Sequence, residues 1–170
     1  NEEFTGDNCG PCASTNPNFW DTCNANAAKL IHISYMEPIP SSGWYYTRTK
    51  VLSDAADAYY SISSAPHDIY DGHTASPSST TPGHPYYFSS AEVNTEAAIP
   101  ATCNITVISS WDATYSNITT TVTVTPVTAA TGTLKLRLAL VQTNDFATSP
   151  GTNGETHFEN VVQAMYPNFA

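Results

Sequence analysis

Two cysteines separated by two residues carry the most specific chemistry in this chain. Cys9-Gly10-Pro11-Cys12 follows Glu3-Phe4-Thr5-Gly6-Asp7-Asn8, and Pro17 stands five residues beyond. The stretch reads as the end of a buried strand, a tight turn and the first turn of a helix. At a helix N-terminus, unpaired backbone N–H groups and the helix dipole favour a thiolate over a thiol, which makes Cys9 the candidate attacking sulfur. Pro11 occupies a first-turn position where its missing N–H costs nothing. Cys12, one turn inward, is placed to attack a mixed disulfide on Cys9 and release the substrate. Two other readings stand beside this one. A zinc half-site would need a second CxxC or a suitably spaced His pair, and neither follows; a purely structural bridge remains open.

Other reactive side chains are less ordered in sequence. His67, Asp68, Asp71, His73 and His84 have irregular spacing that reproduces no metal motif, so no metal is expected. Cys23 and Cys103 form an even remainder. Either they bridge, closing a loop worth about 4 kcal/mol in the chain-entropy model, or they are two free buried thiols. Trp44-Tyr45-Tyr46 is an aromatic cluster that either receives a peptide or packs as a loop. Glu3 lies beside Glu2, and strand alternation puts Glu3 and Phe4 on opposite faces without fixing which face is buried.

These residues must be held by elements, and the chain of 170 residues, 41% hydrophobic, has room for one large domain or two small ones. Ala13 to Lys29 reads as a helix bent at Pro17, and Leu30–Met36 as a strand covered on both faces, with His32 a satisfied core histidine rather than a ligand. A turn-rich segment over 37–43 precedes a second helix over Thr47–Ser61. Pro66 then starts an extended segment, and His73–Ser90, rich in Ser, Thr, Pro and Gly, reads as an inserted loop. Ser89 with Glu92 three residues on forms a capping box for a helix ending at Ile99-Pro100, so a first domain is expected over residues 1–100. From Cys103 the period changes to two. Segments 103–107, 117–125 and 134–141 alternate apolar with polar residues, separated by turns such as Thr131-Gly132-Thr133 and Ser149-Pro150-Gly151-Thr152-Asn153-Gly154. With a further strand over His157–Tyr166, residues 101–170 are expected to form an antiparallel β-sandwich. Four strands make a thin one, so it is expected to be incomplete at Ala170, its edge completed by a partner or by further residues.

Composition excludes some partners. Lys plus Arg number 5 against 15 acids, a net charge of −10, and no basic stripe exists to neutralise nucleic-acid phosphates. No run of about twenty apolar residues exists, so no transmembrane segment is expected. A surface built from Thr, Ser and Asn, with charged residues only 12%, suits a secreted or cell-surface chain. The abrupt start inside a strand suggests a processed or excised fragment.

The Cys9-Gly10-Pro11-Cys12 tetrapeptide resembles the active site of the thioredoxin superfamily. Glu3, six residues before the first cysteine, matches that family's buried acid, and Pro17 its helix-kinking proline. The resemblance implies a thioredoxin-like α/β domain in which Glu3 shuttles a proton for Cys12. It also implies that Ala65-Pro66 is a cis-proline facing the disulfide, where its backbone pairs with a substrate strand near Trp44. The family usually has Trp before the first cysteine; Asn8 stands there, so substrate docking and redox potential are expected to differ. The order of the two domains, with Glu3-Phe4-Thr5-Gly6, Leu138-Ala139-Leu140-Val141-Gln142 and Val161-Val162-Gln163-Ala164-Met165-Tyr166-Pro167, resembles thioredoxin-related outer-membrane or cell-surface proteins of Gram-negative bacteria. Together these resemblances imply an extracytoplasmic thiol–disulfide oxidoreductase that needs no cofactor and acts on protein thiols or disulfides. The alternative is a non-catalytic cell-surface interaction module presenting Trp44, Tyr45 and Tyr46 to a protein partner, with Cys9–Cys12 permanently bridged.

Overall fold

The computed structural model describes residues 1–129, 134–147 and 151–167. They divide into two compact units, one formed by Asn1–Ala97 with the described residues from Leu136 on, the other by those of Ala98–Lys135. In the first unit β1 (Glu2–Thr5), α1 (Gly10–Ala25) and β2 (Ile33–Met36) form a crossover whose strands pair in parallel, Glu3 opposite Ser34 and Thr5 opposite Met36. α2 (Trp44–Tyr60) leads to β3 (His67–Tyr70), antiparallel to β1 with Phe4 opposite His67, and β3 pairs with the short β4 (His73–Thr74). α3 (Ser90–Ala97) follows. The second unit holds β5 (Cys103–Trp111) and β6 (Ile118–Pro126), after which β7 (Leu138–Phe146) and β8 (His157–Tyr166) return to the first. The six-stranded sheet runs β4-β3-β1-β2-β8-β7, with β8 parallel to β2 and β7 antiparallel to β8.

Strand alternation divides this sheet between two cores. Glu3 and Thr5 face α1, where they meet Trp20 and Asn16, and Met36 and Val161 join Phe19, Trp20, Phe88 and Val93 on that side. Phe4, Tyr35, Ile69, Val162 and Met165 pack with Ala56 of α2 on the other.

The structure divides the chain differently from the expected boundary at residue 100. The four strands expected to form one sandwich over 101–170 are split between two sheets, because β8 pairs with β2 and carries β7 with it. The physical reason is visible in β8. Phe158, Val161 and Val162 are all buried, adjacent residues on opposite faces, as a strand covered on both sides requires and a half-exposed sandwich strand does not.

Three local differences have causes outside the local sequence. α2 begins at Trp44 rather than Thr47, so Tyr45 and Tyr46 are helical and buried instead of forming a loop. Glu92 does not close a capping box: its carboxylate accepts from Ser76 N and Ser76 Oγ. The segment 73–90, though exposed over much of its length, is anchored by Ala75 and Phe88 in the core, Phe88 after a short 3₁₀ turn at Pro85–Tyr87.

The second unit is a ribbon of nine consecutive cross-strand pairs. Ile105/Val124, Val107/Val122 and Trp111/Ile118 share one face, and Thr106/Thr123, Ile108/Thr121 and Ser110/Thr119 the other. Its turn is organised by Asp112, whose carboxylate accepts from Thr114 N, Ser116 N and Asn117 Nδ2 and is held well below the usual carboxylate range by those bonds. Among the described residues no helix is long and apolar enough to cross a membrane.

Candidate redox site

Cys9 is the N-cap of α1, in an extended conformation that brings its side chain over the first helical turn. Its Sγ accepts a hydrogen bond from Cys12 N at 3.2 Å, and the two cysteines form a disulfide with a Cα–Cα distance of 5.2 Å. The turn that delivers them is tight: Cys9 N donates to Gly6 O at 3.0 Å, and a Cβ on Gly6 would lie 2.8 Å from Glu37 O. Pro11 sits in the first turn and the helix continues through Pro17 to Ala25.

Asp7 shapes the neighbouring element. Its carboxylate is fully buried and accepts from Trp44 N at 2.8 Å and Tyr45 N at 3.4 Å, so a residue from the β1–α1 turn caps α2 in place of a local side chain. Gly43 makes this possible, because a Cβ there would overlap the Asp7 carboxylate. Trp44 is consequently tied to the cysteine turn. Its ring, partly exposed, lies under the Arg48 guanidinium at 4.3 Å.

The disulfide is covered. Cys9 is 1% exposed and Cys12 fully buried. The segment 151–155 between β7 and β8 is fastened to the turn that carries Cys9. Asn153 N donates to Asp7 O at 3.1 Å, and Asn153 Nδ2 donates to Gly6 O and to Cys9 O, both at 3.0 Å. Asn8 is the second fastening. Its Oδ1 accepts from Thr152 N at 2.8 Å while its Nδ2 donates to Ser42 O and Ser41 Oγ. Both donor and acceptor sides of one amide are used to join two loops across the turn, work an indole could not do. Gly151 passes so close to Asp7 O that no Cβ would fit.

Four acids lie buried or half-buried around this end of the sheet. Glu3 Oε2 accepts from Trp20 Nε1 at 3.0 Å and Ser34 Oγ at 2.8 Å and lies 3.1 Å from His32 Nε2; neither sulfur is among its hydrogen-bond partners. Glu155 Oε1 accepts from Asn16 Nδ2 at 2.9 Å, one helical turn after Cys12, and its Oε2 accepts from Asn153 Nδ2 at 2.6 Å. Burial pushes Glu155 up to about 7; the two amide bonds oppose that rise and the nearby Glu3 and Asp7 add to it. Glu37, at the end of β2, is pushed up to about 10 by burial and by the Asp57 carboxyl beside it. Asp7 completes the set.

The remaining candidate residues fall in different places. Ala65-Pro66 is a cis bond, and Pro66 is buried. Because β3 runs antiparallel with His67 opposite Phe4, Pro66 lies at the Thr5 end of β1, the end from which the cysteine turn leaves. Cys23 and Cys103 are free thiols rather than a second bridge; Cys23 is buried, which raises its thiol well above the usual range. His67, Asp68, Asp71, His73 and His84 do not converge: among the described residues no three metal-ligating side chains come together. Asp68 instead accepts from Asn1 Nδ2, and His73 faces Glu96 at 3.6 Å. Asp7, Asn153 and Glu155 escaped the sequence reading, since Asn153 and Glu155 lie in and just after a stretch whose only sequence signal is that of a turn. Comparisons with protein-family models, curated proteins and solved structures give no match to this chain.

Proposed function

We propose that the Cys9–Cys12 pair is a thiol–disulfide exchange centre on a thioredoxin-like α/β scaffold, acting on protein thiols or disulfides outside the cytoplasm. The observation that supports it most is Cys9 Sγ at the N-terminus of α1, accepting Cys12 N–H, the position where a helix best stabilises a thiolate.

In the reductive direction the Cys9 thiolate attacks one sulfur of a substrate disulfide. The substrate S–S bond breaks, a Cys9–substrate bond forms, and the other substrate sulfur leaves as a thiolate. Cys12, once deprotonated, attacks Cys9 Sγ and expels the second substrate thiolate. Two electrons pass to the substrate, and the Cys9–Cys12 disulfide is the oxidised product. Run in reverse, the same steps oxidise a substrate dithiol. In this scheme Glu3, buried on the α1 face of β1, takes the Cys12 proton, and Ala65, Pro66 and Trp44 form the surface on which a substrate strand lies.

One observation favours a second reading. Cys9 is 1% exposed, as a structural bridge in a non-catalytic cell-surface interaction module would be. Equilibration with glutathione, followed by alkylation and mass spectrometry, separates the two. A reduction potential within about −120 to −270 mV supports exchange, and a Cys12→Ser variant should then trap substrates on Cys9. A potential below about −300 mV would leave the structural bridge.

A further inference from the structure

Of the four acids at this end of the sheet, Glu155 is the one that belongs to the segment 151–155. It is braced on α1 through Asn16 and on the segment through Asn153, and Asn153 in turn holds the carbonyls of Gly6 and Cys9. The charged groups facing it are Glu3 from β1 and Asp7 from the cysteine turn, both acids; α1 offers only the Asn16 amide. No ion pair among the described residues includes Glu155.

We propose that the segment 151–155 is a lid on the Cys9–Cys12 disulfide and that the ionisation of Glu155 decides whether it stays shut. The proposal rests on the pair being an exchange centre, for which access must vary. With the lid shut, the Glu155 carboxyl titrates near 7 rather than at its ordinary 4.5. The shut state therefore binds the proton more tightly than an open state in which Glu155 meets water. Acid closes the lid. As pH rises from 4.5 towards 7 the open fraction grows by about tenfold per unit, then levels off once Glu155 is ionised in both states. An ionised carboxylate left between two other acids, with no cation beside it, regains its hydration only by leaving.

The test uses the full oxidised chain and a water-soluble trialkylphosphine as reductant. The rate of Cys9–Cys12 reduction is followed by acid quench, alkylation and mass spectrometry from pH 4.5 to 8, for the wild type and for Glu155→Gln. The reductant's own titration cancels in the ratio of the two rates. That ratio should stay near one at pH 4.5, rise by up to about tenfold per unit and level off above pH 7. A ratio independent of pH overturns the proposal. Asn153→Ala provides a second handle, since it removes the amide that ties the lid to Gly6 O and Cys9 O. It should speed reduction at pH 5, where the wild-type lid is shut, and an unchanged rate there would also count against the lid. The two ideas fail separately. A potential in the oxidoreductase range with a flat ratio leaves exchange standing without a lid. A rising ratio with a potential too low for exchange leaves a lid over a structural bridge.

Discussion

The covered end of the six-stranded sheet and the β5–β6 ribbon use polar groups in opposite ways. At the sheet end Asp7 and Asn8 from the β1–α1 turn, Asn16 from α1, and Asn153 and Glu155 from the segment before β8 meet, and the bonds of each depend on the placement of another. In the ribbon, hydroxyls and apolar groups are mostly exposed, and Ser109 meets Thr120 directly opposite at 2.9 Å. Losses at the first region should spread through the network, whereas losses in the second should stay local and small.

Gly43→Ala tests the spreading most severely. Its Cβ would displace the buried Asp7 carboxylate and strip Trp44 N and Tyr45 N of their acceptor, so urea unfolding should show a loss of about 3 kcal/mol. A loss below about 1 kcal/mol would mean that the turn adapts freely and the network is not cooperative.

Next in size is a pH effect at Glu37. The folded protein holds this carboxyl at about 10 against 4.5 in the free group, so the folded state binds the proton more tightly. Its contribution is intact below pH 4.5 and is lost as pH rises towards 10. Glu37→Gln should therefore be close to neutral in unfolding experiments near pH 4.5 and clearly stabilising at pH 8. Equal effects at the two pH values would contradict the assignment.

Ser34→Ala removes a donor from the fully buried Glu3 carboxylate and should cost about 1–2 kcal/mol. The matching change in the ribbon, Thr120→Ala, breaks an exposed hydroxyl pair and should stay within about 0.5 kcal/mol by the same denaturation measurement. If the ribbon change cost as much as the sheet change, the contrast between the regions would disappear.

The contrast also explains what could be read from the sequence. The ribbon strands are written in their own alternation, and the start of α1 in Cys9-Gly10-Pro11-Cys12, because both depend on neighbours a few residues away. The first turn of α2 depends on Asp7, 37 residues earlier than Trp44, so Trp44-Tyr45-Tyr46 carried no local sign of a helix. His157–Tyr166 was legible as a strand but not as the partner of β2, since periodicity specifies which faces are buried and not which strand lies alongside. Glu155 was the least visible of the site residues. A single acid beside a Gly-rich turn has no pattern, and its chemistry arises only where Asn16 and Asn153 enclose it.

The placement of β8 beside β2 also sets an order in time. Synthesis is vectorial, and Asn153 emerges 144 residues after the Cys9 carbonyl it will hold. The nascent chain thus carries its two cysteines without Asn153 and Glu155 through the making of most of the polypeptide. Only when β8, the last strand of the six-stranded sheet to be made, is in place can Asn153 and Glu155 close on the turn around the two sulfurs.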